Sequence, residues 1–534
     1  MLLARPRTIL AFGLAGFAPG FGAHATVGLP VLPTIALDAA GAPETPSTRR
    51  LPPLDKLVLP EEQPQLAALI GALRGPARRD PGLMLSMLDQ ILVDLPKPTK
   101  LRGVVQMIRA FAFEAMDRHQ EAIAAIDEAI RLLPEDPGPR IAAATIHLYS
   151  NDPGLAADDI LRASSLDPRA VLSLKDYEVD GLMHRLDGVR DHKRARQLSE
   201  RLLALGWTGT GVRSRSELAK AAIQSAVEDG DLARARQLVP LLLDPGASYA
   251  LLSLKAYQPI WGDIEAFAGP KLKTQWRAYL DEARNRWETG RDMERGADYA
   301  AALRSAGAND RLIATFLPLF DGGRDAQHDW SMLFIAPKLA SALMSQGRGA
   351  EALSMYDLAA QTWPLGSSAN ALNLAANRAN ALLYSDRPAE ALAQIDLAIQ
   401  DSHRWPGEVN SDAIAKMHGA RACILYALGR APEAAISATI AAEAGHQREE
   451  ARVALCRGDL AAARGALIKG LKFPEERPDI VDFMQPSGEP IIPTKYGRSQ
   501  RAAEDALRRD PLMLAALEPY GRIMAYAENE AAPK

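Results

Sequence analysis

The chain has 534 residues, of which 48% are hydrophobic and 6% aromatic, so it is too long for one small core and too poor in rings for a strand-rich fold. Acidic and basic residues nearly balance, and the formal net charge is −4. This balance argues against a nucleic-acid binder held by phosphate neutralisation and against a polybasic membrane patch.

The first 25 residues, MLLARPRTILAFGLAGFAPGFGAHA, have the organisation of a secretory signal peptide. Arg5 and Arg7 precede an apolar run from Thr8 to Ala18, and the small residues on either side of His24 offer a cleavage site. The apolar run is too short to span a bilayer stably. We therefore expect an exported, periplasmic protein that is cleaved after Ala25 and has no stable membrane insertion afterwards.

Residues 26–64 are rich in proline and show little helical periodicity, which predicts an extended or disordered tether. Helical patterning then extends from Gln65 to about Lys472. Because no stretch shows sustained period-two alternation, no sheet domain is expected.

The tetrapeptide RRDP occurs twice, ending at Pro81 and at Pro511. In both places the aspartate can cap a helix and the proline can take its first position, so each copy predicts a helix start. The second copy divides a terminal helix pair that follows Lys495.

The stretch DRHQEAIAAIDEAIRLLPEDP, residues 117–137, is repeated along the chain. Its internal offsets recur after 34 residues and again in three later segments. The alanines at one equivalent position are Ala122, Ala156, Ala352, Ala391 and Ala434. Two antiparallel helices can pack closely only where such small residues let the backbones approach, so each copy predicts a pair of helices.

A 34-residue period of helix pairs resembles the tetratricopeptide-repeat (TPR) family, most clearly in residues 103–170 and 333–475. Between these regions, Ala195 and Ala235 take the small position at longer spacings, so the middle of the array is divergent. The resemblance implies an all-α fold, a solenoid of antiparallel helix pairs that forms a TPR-like superhelix. It also implies a concave groove lined by the first helices, with a protein or peptide as the default ligand.

The chain is thus divided into six segments. They are a signal peptide (1–25), a proline-rich tether (26–64), an N-terminal TPR-like array (65–246), an irregular aromatic-rich helical section (247–332), a C-terminal TPR-like array (333–475) and an irregular tail with a terminal helix pair (476–534).

Motifs of catalysis and cofactor binding are missing from the sequence. It contains no phosphate-binding loop, zinc-protease motif, CxxC pair or GxSxG motif, so no catalytic residue, cofactor or metal is assigned. The segment HRLDGVRDH, residues 184–192, is the one candidate metal cluster, and a polar turn between helices explains it better.

Two alternatives to a non-catalytic scaffold remain open. One is a carbohydrate-active or other helical enzyme in the 255–290 region, with carboxylates near Asp263, Glu265, Asp281 and Glu282. The other is an accessory protein of envelope polysaccharide or outer-membrane transport.

The densest aromatic segment, residues 255–287, offers a second candidate binding surface. Tyr257, Trp261 and Trp276 could form a stacking platform for sugars or peptides. A local core that fills irregular gaps is the favoured interpretation, because large rings are usually buried.

The only cysteines, Cys423 and Cys456, fall on first helices of neighbouring repeats, at different heights. Stacked helices stand about 8–10 Å apart, so we expect two free, mostly buried thiols.

The segment SSANALNLAANRANALLY carries a stripe of asparagines on one helical face, which includes Asn373, Asn377 and Asn380. The serines at its start, Ser367 or Ser368, can cap the helix, so capping does not explain the asparagines. Repeat alignment predicts that the stripe faces the groove.

Lys338 and Lys416 fall near comparable positions in the repeats before and after this stripe. Carboxamides suit a peptide backbone and lysines suit a carboxylate, so the candidate site binds a protein or peptide. A solvated polar face is the alternative. The function expected from the sequence is a non-catalytic binding scaffold of the cell envelope.

Overall fold

The computed structural model describes residues 58–116, 118–150, 152–189, 191–209, 212–321, 332–405, 409, 411–444, 447–486 and 491–524. Within these ranges the protein is all-α, and the only β pairing is an isolated antiparallel bridge between Leu254 and Gly521. None of the helices in these ranges has the length and hydropathy that a bilayer crossing requires. The predicted signal peptide and residues 26–57 of the predicted tether lie outside the described residues.

The chain divides into two compact units, and the described part of the first comprises residues 58–209. Its helices are α1 (Gln63–Arg74), α2 (Pro81–Val93), α3 (Lys100–Glu114), α4 (His119–Leu132), α5 (Pro137–Tyr149), α6 (Pro153–Leu166), α7 (Pro168–Leu172), α8 (Asp176–Gly188) and α9 (His192–Ala204). A continuous apolar core extends from Leu66 to Ile146. Near the end of the unit, the buried Trp207 donates its indole N–H to the carbonyl oxygen of Leu174 at 3.1 Å.

The described part of the second unit comprises residues 212–524. Its helices are α10 (Val212–Glu228), α11 (Leu232–Leu238), α12 (Pro245–Ser253), α13 (Trp261–Ala268), α14 (Lys273–Gly290), α15 (Met293–Ser305), α16 (Asn309–Asp321), α17 (Met332–Ser345), α18 (Gly349–Thr362), α19 (Ala369–Tyr384), α20 (Pro388–Ser402), α21 (Ser411–Ala427), α22 (Ala431–Ala444), α23 (Gln447–Cys456), α24 (Leu460–Gly470), α25 (Arg477–Phe483), α26 (Lys495–Arg508) and α27 (Pro511–Leu517).

Consecutive helices pack in pairs, namely α3 with α4, α5 with α6, α17 with α18, α19 with α20, α21 with α22 and α23 with α24. The alanines that mark the repeat are buried in these pairs. Ala122, Ala352, Ala391 and Ala434 have no exposed surface, and Ala156 has 1%. Because alanine has only a methyl side chain, the backbones of the two helices in a pair can approach closely at these positions. The predicted solenoid of helix pairs is confirmed.

The turn between the two helices of a pair has one of two chemistries. In four pairs an arginine before the second helix binds a glutamate three residues later, as in Arg118–Glu121, Arg348–Glu351, Arg387–Glu390 and Arg430–Glu433. In others an aspartate caps the second helix by accepting the N–H three residues on, as Asp152, Asp231 and Asp459 do. Both arrangements place an acidic group near the positive end of the helix.

The two RRDP sequences also begin helices as predicted. Asp80 accepts the N–H of Leu83 before α2, and Asp510 accepts the N–H groups of Leu512 and Met513 before α27. By contrast, Ser368 is the N-cap residue of α19 but its side chain makes no capping hydrogen bond, so the predicted serine cap is wrong.

A left-handed residue precedes the second helix in several pairs, and it is glycine at Gly347, Gly429 and Gly458. In the α19–α20 turn this position is Asp386, with φ +57°. Its carboxylate accepts the N–H groups of Lys495 and Tyr496, both at 2.9 Å, at the start of α26. A left-handed conformation is energetically costly for an aspartate. Here Asp386 adopts it and its carboxylate holds the start of α26 against the α19–α20 turn.

The two cysteines form a disulfide between α21 and α23, with a Cα–Cα distance of 5.2 Å. The prediction of free thiols is wrong because it used the distance between helix axes. Each Cα lies about 2.3 Å from its axis, so facing Cα atoms come several ångströms closer than the axes do. The same two helices also meet at Gly419, where a Cβ would require the ends of the Glu449 and Arg452 side chains of α23 to move.

Candidate functional site

One of the two lysines that the repeat alignment selects, Lys338 on α17, lies in an unusual electrostatic environment. It is half-buried, and its ammonium donates to the carbonyl oxygen of Phe334 at 2.8 Å. Burial and, to a smaller extent, repulsion by Arg213 lower the pKa of Lys338 to about 8, although the charge of Asp298 opposes both effects. Among the described residues, Lys338 makes no ion pair, so its charge is incompletely compensated.

Arg213 reaches this place from α10, and Asp298 reaches it from α15. These helices are far apart in sequence, yet the charges of both side chains influence the pKa of one lysine. The Arg213 guanidinium also stands 4.0 Å from the carboxylate of Asp244, the residue that caps α12. We call Arg213, Asp244, Tyr279, Asp298 and Lys338 the charged cluster.

Asp244 and Tyr279 form the buried floor of the charged cluster. Burial raises the pKa of Asp244, while Arg213 lowers it. Burial likewise raises the pKa of Tyr279 far above its usual range, and the Asp244 charge adds to this effect. Tyr279 is therefore a neutral hydrogen-bonding group at every physiological pH.

Gln275 is also buried beside this floor and is held by the backbone around Asp244. Its amide donates to the Leu242 carbonyl oxygen and, at 2.8 Å, to the Ser248 hydroxyl. Its Oε1 has no hydrogen-bond partner among the described residues. The arrangement combines two cations, the carboxyl groups of Asp244 and Asp298, and neutral polar groups, so it offers hydrogen bonds to a ligand that carries a carboxylate and amide groups.

Lys416, predicted to act with Lys338, is placed differently by the structure. Its ammonium binds the carboxylate of Asp412, one turn earlier on α21, at 2.7 Å. An acidic partner on the same helix therefore neutralises Lys416. The two lysines do not form one equivalent pair.

The asparagine stripe on α19 is mostly buried. Asn377 has no exposed surface and Asn380 has 6%, whereas Asn373 is half-buried. The Asn377 amide donates to the Asn373 side-chain oxygen at 2.9 Å. The sequence predicted that these carboxamides face the groove. Two of the three, Asn377 and Asn380, are instead buried, so they are not accessible to a ligand.

The aromatic segment packs as core, as the favoured interpretation expects. Tyr257 and Trp276 are 7% and 3% exposed, and they do not form an open platform. Trp261 is half-buried and donates its indole N–H to the Leu251 carbonyl oxygen at 3.0 Å. An arginine from the C-terminal segment, Arg522, covers its ring at 3.8 Å.

Each carboxylate of the alternative carbohydrate-active site binds an arginine. Asp263 binds Arg236 at 3.1 Å, and Glu265 binds Arg522 at 2.8 Å. On α14, Asp281 binds Arg284 at 3.3 Å and Glu282 binds Arg286 at 2.8 Å. Each is used in its own ion pair.

No group of three or more potential metal ligands occurs within the described residues. In the segment HRLDGVRDH, the side chains of Asp187 and His192 lie outside them. There, Asp191 accepts the N–H of Arg194 at the start of α9, which agrees with the turn interpretation.

Sequence reasoning missed Arg213 and Asp298. Neither belongs to a recognisable repeat, because α10, α14 and α15 lie in the divergent middle of the chain. The clue available was the alternation of charges on α10, where Lys220 also pairs with Glu217. The charges on a helix face do not by themselves show whether that face is exposed to solvent or lies against other helices.

No protein-family model matches the chain, and no curated protein sequence matches it. Among solved structures, the APC/C hetero-tetramer Cut9–Hcn1 aligns over 88% of this chain and 98% of that chain, with 11% sequence identity and a TM-score of 0.25. Yeast Tom70 aligns over 78% of this chain and 99% of that chain, with 12% identity and a TM-score of 0.22. The TPR domain of P58(IPK) aligns over 69% of this chain and 98% of that chain, with 15% identity and a TM-score of 0.17.

Proposed function

We propose that the protein is a non-catalytic scaffold of the cell envelope and that its second unit binds a protein or peptide segment at the charged cluster. The observation that carries this proposal is Lys338, a half-buried cation that makes no ion pair with any described residue and whose pKa is lowered by burial and by a second cation, Arg213. A ligand carboxylate placed between them would relieve their repulsion and gain charge-assisted hydrogen bonds. The neutral Tyr279 can hydrogen-bond the adjoining peptide group.

Replacing Lys338 with alanine should reduce capture of the bound protein from envelope extract by at least tenfold. Truncation removes the ammonium that would pair with the ligand carboxylate, and charged pairs of this kind contribute about 1.5–3 kcal/mol. Capture on immobilised full-length protein, followed by quantitative mass spectrometry, measures the loss. Lys469→Ala, on an exposed part of α24, is the matched control and should capture as much as the unaltered protein.

The pH dependence of capture separates the proposed site from a general loss of charge. Because the pKa of Lys338 is about 8, raising the pH from 7 to 9 should weaken binding by about tenfold as its ammonium deprotonates. Lys338→Arg should retain capture and lose this dependence, because a guanidinium stays charged in this range. Equal capture by Lys338→Ala and the unaltered protein would show that the charged cluster is not the binding site.

We propose a periplasmic location on the basis of residues 1–25, whose arginines, apolar run and small-residue site suit export. N-terminal sequencing of the exported protein should begin at Thr26. A retained N-terminus, or protein found only in the cytosol, would contradict both the cleavage site and the location.

A further inference from the structure

The C-terminal segment that follows α27 lies against α12 and α13 and pairs with the chain there. Its backbone pairs with the residues after α12 through two hydrogen bonds, from Lys255 N–H to the Tyr520 carbonyl and from Arg522 N–H to the Ser253 carbonyl, both at 2.9 Å. This is the antiparallel bridge that centres on Leu254 and Gly521. The irregular helical section thus already binds one short peptide segment, which is part of its own chain.

The side chain of Arg522 is recognised on three sides. Its Nε donates to the Leu252 carbonyl oxygen at 2.7 Å, and its Nη2 donates to the Glu265 carboxylate at 2.8 Å. Its guanidinium lies over the Trp261 ring, 3.8 Å from the centroid. A planar guanidinium can satisfy a carbonyl, a carboxylate and an aromatic face together, and an ammonium cannot.

The residue before Arg522 is Gly521, and the space around it has little room for a side chain. A Cβ at Gly521 would come within 2.9 Å of the Ser253 carbonyl oxygen and within 2.8 Å of Val481 Cγ2. The first contact is to backbone in the bridge, so it cannot be relieved by a rotamer change. Any larger residue at this position would require the backbone of the bridge to move.

The peptide backbone is fixed on its other side by Gln485, which is 5% exposed. Its amide donates to the Arg522 carbonyl oxygen at 3.0 Å, and its Oε1 accepts the N–H of Met524 at 2.9 Å. Tyr249 holds the Gln485 side chain by donating to the same oxygen at 3.2 Å. A buried carboxamide that hydrogen-bonds both a backbone carbonyl and a backbone N–H can bind an extended peptide of any sequence.

We propose that Ser253, Trp261, Glu265, Val481 and Gln485 form a peptide-binding site specific for an extended Gly-Arg segment. The chain's own Gly521-Arg522 occupies this Gly-Arg site in the structure, and a partner polypeptide with an accessible Gly-Arg sequence displaces it. The site is separate from the charged cluster, so either can fail without the other.

Competition with the attached segment sets the affinity for a partner. A segment tethered in the same chain acts at an effective concentration in the millimolar range, so it masks the site from weak ligands. Weakening the internal segment should therefore raise the affinity for an added peptide.

The test uses the full-length protein and a fluorescein-labelled peptide PYGRIM, which copies residues 519–524 and has blocked ends. Fluorescence anisotropy should show that Arg522→Ala protein binds the peptide at least tenfold more tightly than the unaltered protein does. Arg284→Ala, which removes an arginine that pairs with Asp281 on α14, is the matched control and should leave the affinity unchanged.

Changes in the peptide test the specificity without affecting the protein's fold. Peptides carrying Gly521→Ala, Arg522→Ala or Arg522→Lys should each bind the Arg522→Ala protein at least tenfold more weakly than PYGRIM. Adding Glu265→Gln to that protein should weaken PYGRIM a few-fold, because the carboxylate is partly exposed. Equal binding of PYGRIM to unaltered and Arg522→Ala protein, or equal binding of the substituted peptides, would overturn the proposal.

Discussion

Replacing Asp159 with alanine is expected to lower the free energy of unfolding of the first unit by about 3 kcal/mol, the lower end for a broken buried ion pair. Its carboxylate, 6% exposed, accepts from Arg140 Nη1 at 2.7 Å and pairs with His147 Nδ1 at 3.0 Å. Alanine would leave the buried His147 without its partner. Hydrogen exchange read by mass spectrometry reports the loss in α5 and α6.

The neighbouring residue provides the control. Asp158 binds Arg194 at 2.9 Å, but both side chains are well exposed, so Asp158→Ala should cost less than about 1 kcal/mol. If the two substitutions lowered the free energy of unfolding equally, burial would not explain the contribution of Asp159 to stability.

The same pair makes the first unit sensitive to pH. The hydrogen bond to Asp159 is the largest cause that raises the pKa of His147, and partial burial opposes it. A histidine whose folded pKa is raised stabilises the fold fully below its unfolded pKa of about 6.5 and loses that contribution as pH rises through the folded value. Exchange protection of α5 should therefore fall as pH rises from 6 to 8, after correction for intrinsic rates, and Asp159→Asn should flatten this dependence.

Loss of the disulfide should have a similarly large effect on the second unit. The bridge joins residues separated by 33 positions, and a loop of this length predicts a loss of about 3–4 kcal/mol in Cys423→Ser. Denaturant unfolding followed by circular dichroism, with exchange protection in α21 and α23, measures the change.

A dithiol reductant gives the independent comparison. It should bring the unaltered protein to the stability of Cys423→Ser and leave the variant itself unaffected, and α1 to α6 should keep their protection in both. Identical denaturation of reduced and oxidised protein would show that the bridge adds nothing to stability.

The helix pairs could be predicted because their information is local. Ala122 and Ala391 mark the same contact in different repeats, and each needs only its own 34-residue segment to be recognised. The turn residues carried a second local signal, Arg-x-x-Glu, which begins at Arg118, Arg348, Arg387 and Arg430 and which the sequence interpretation did not use.

The binding residues were harder to predict, because the direction of a side chain depends on how neighbouring helices cross. Periodicity placed Asn373, Asn377 and Asn380 on one face, but it could not show that this face is packed against another helix. The charge of Arg213 reaches Lys338 only through the fold of the divergent middle. The Gly-Arg site joins residues near 253 and 522, and no local pattern connects such distant positions.

The disulfide also has a mechanical meaning for an array of stacked repeats. Repeats that contact mainly their neighbours separate one after another when the ends of the chain are pulled. The bond between Cys423 and Cys456 would stop this unravelling inside the array, because the 32 residues of chain between them cannot be drawn out. They would otherwise add about 110–120 Å of extended length. A partner that pulls on the C-terminus would thus meet a fixed limit of extension in oxidising surroundings and a longer reach after reduction.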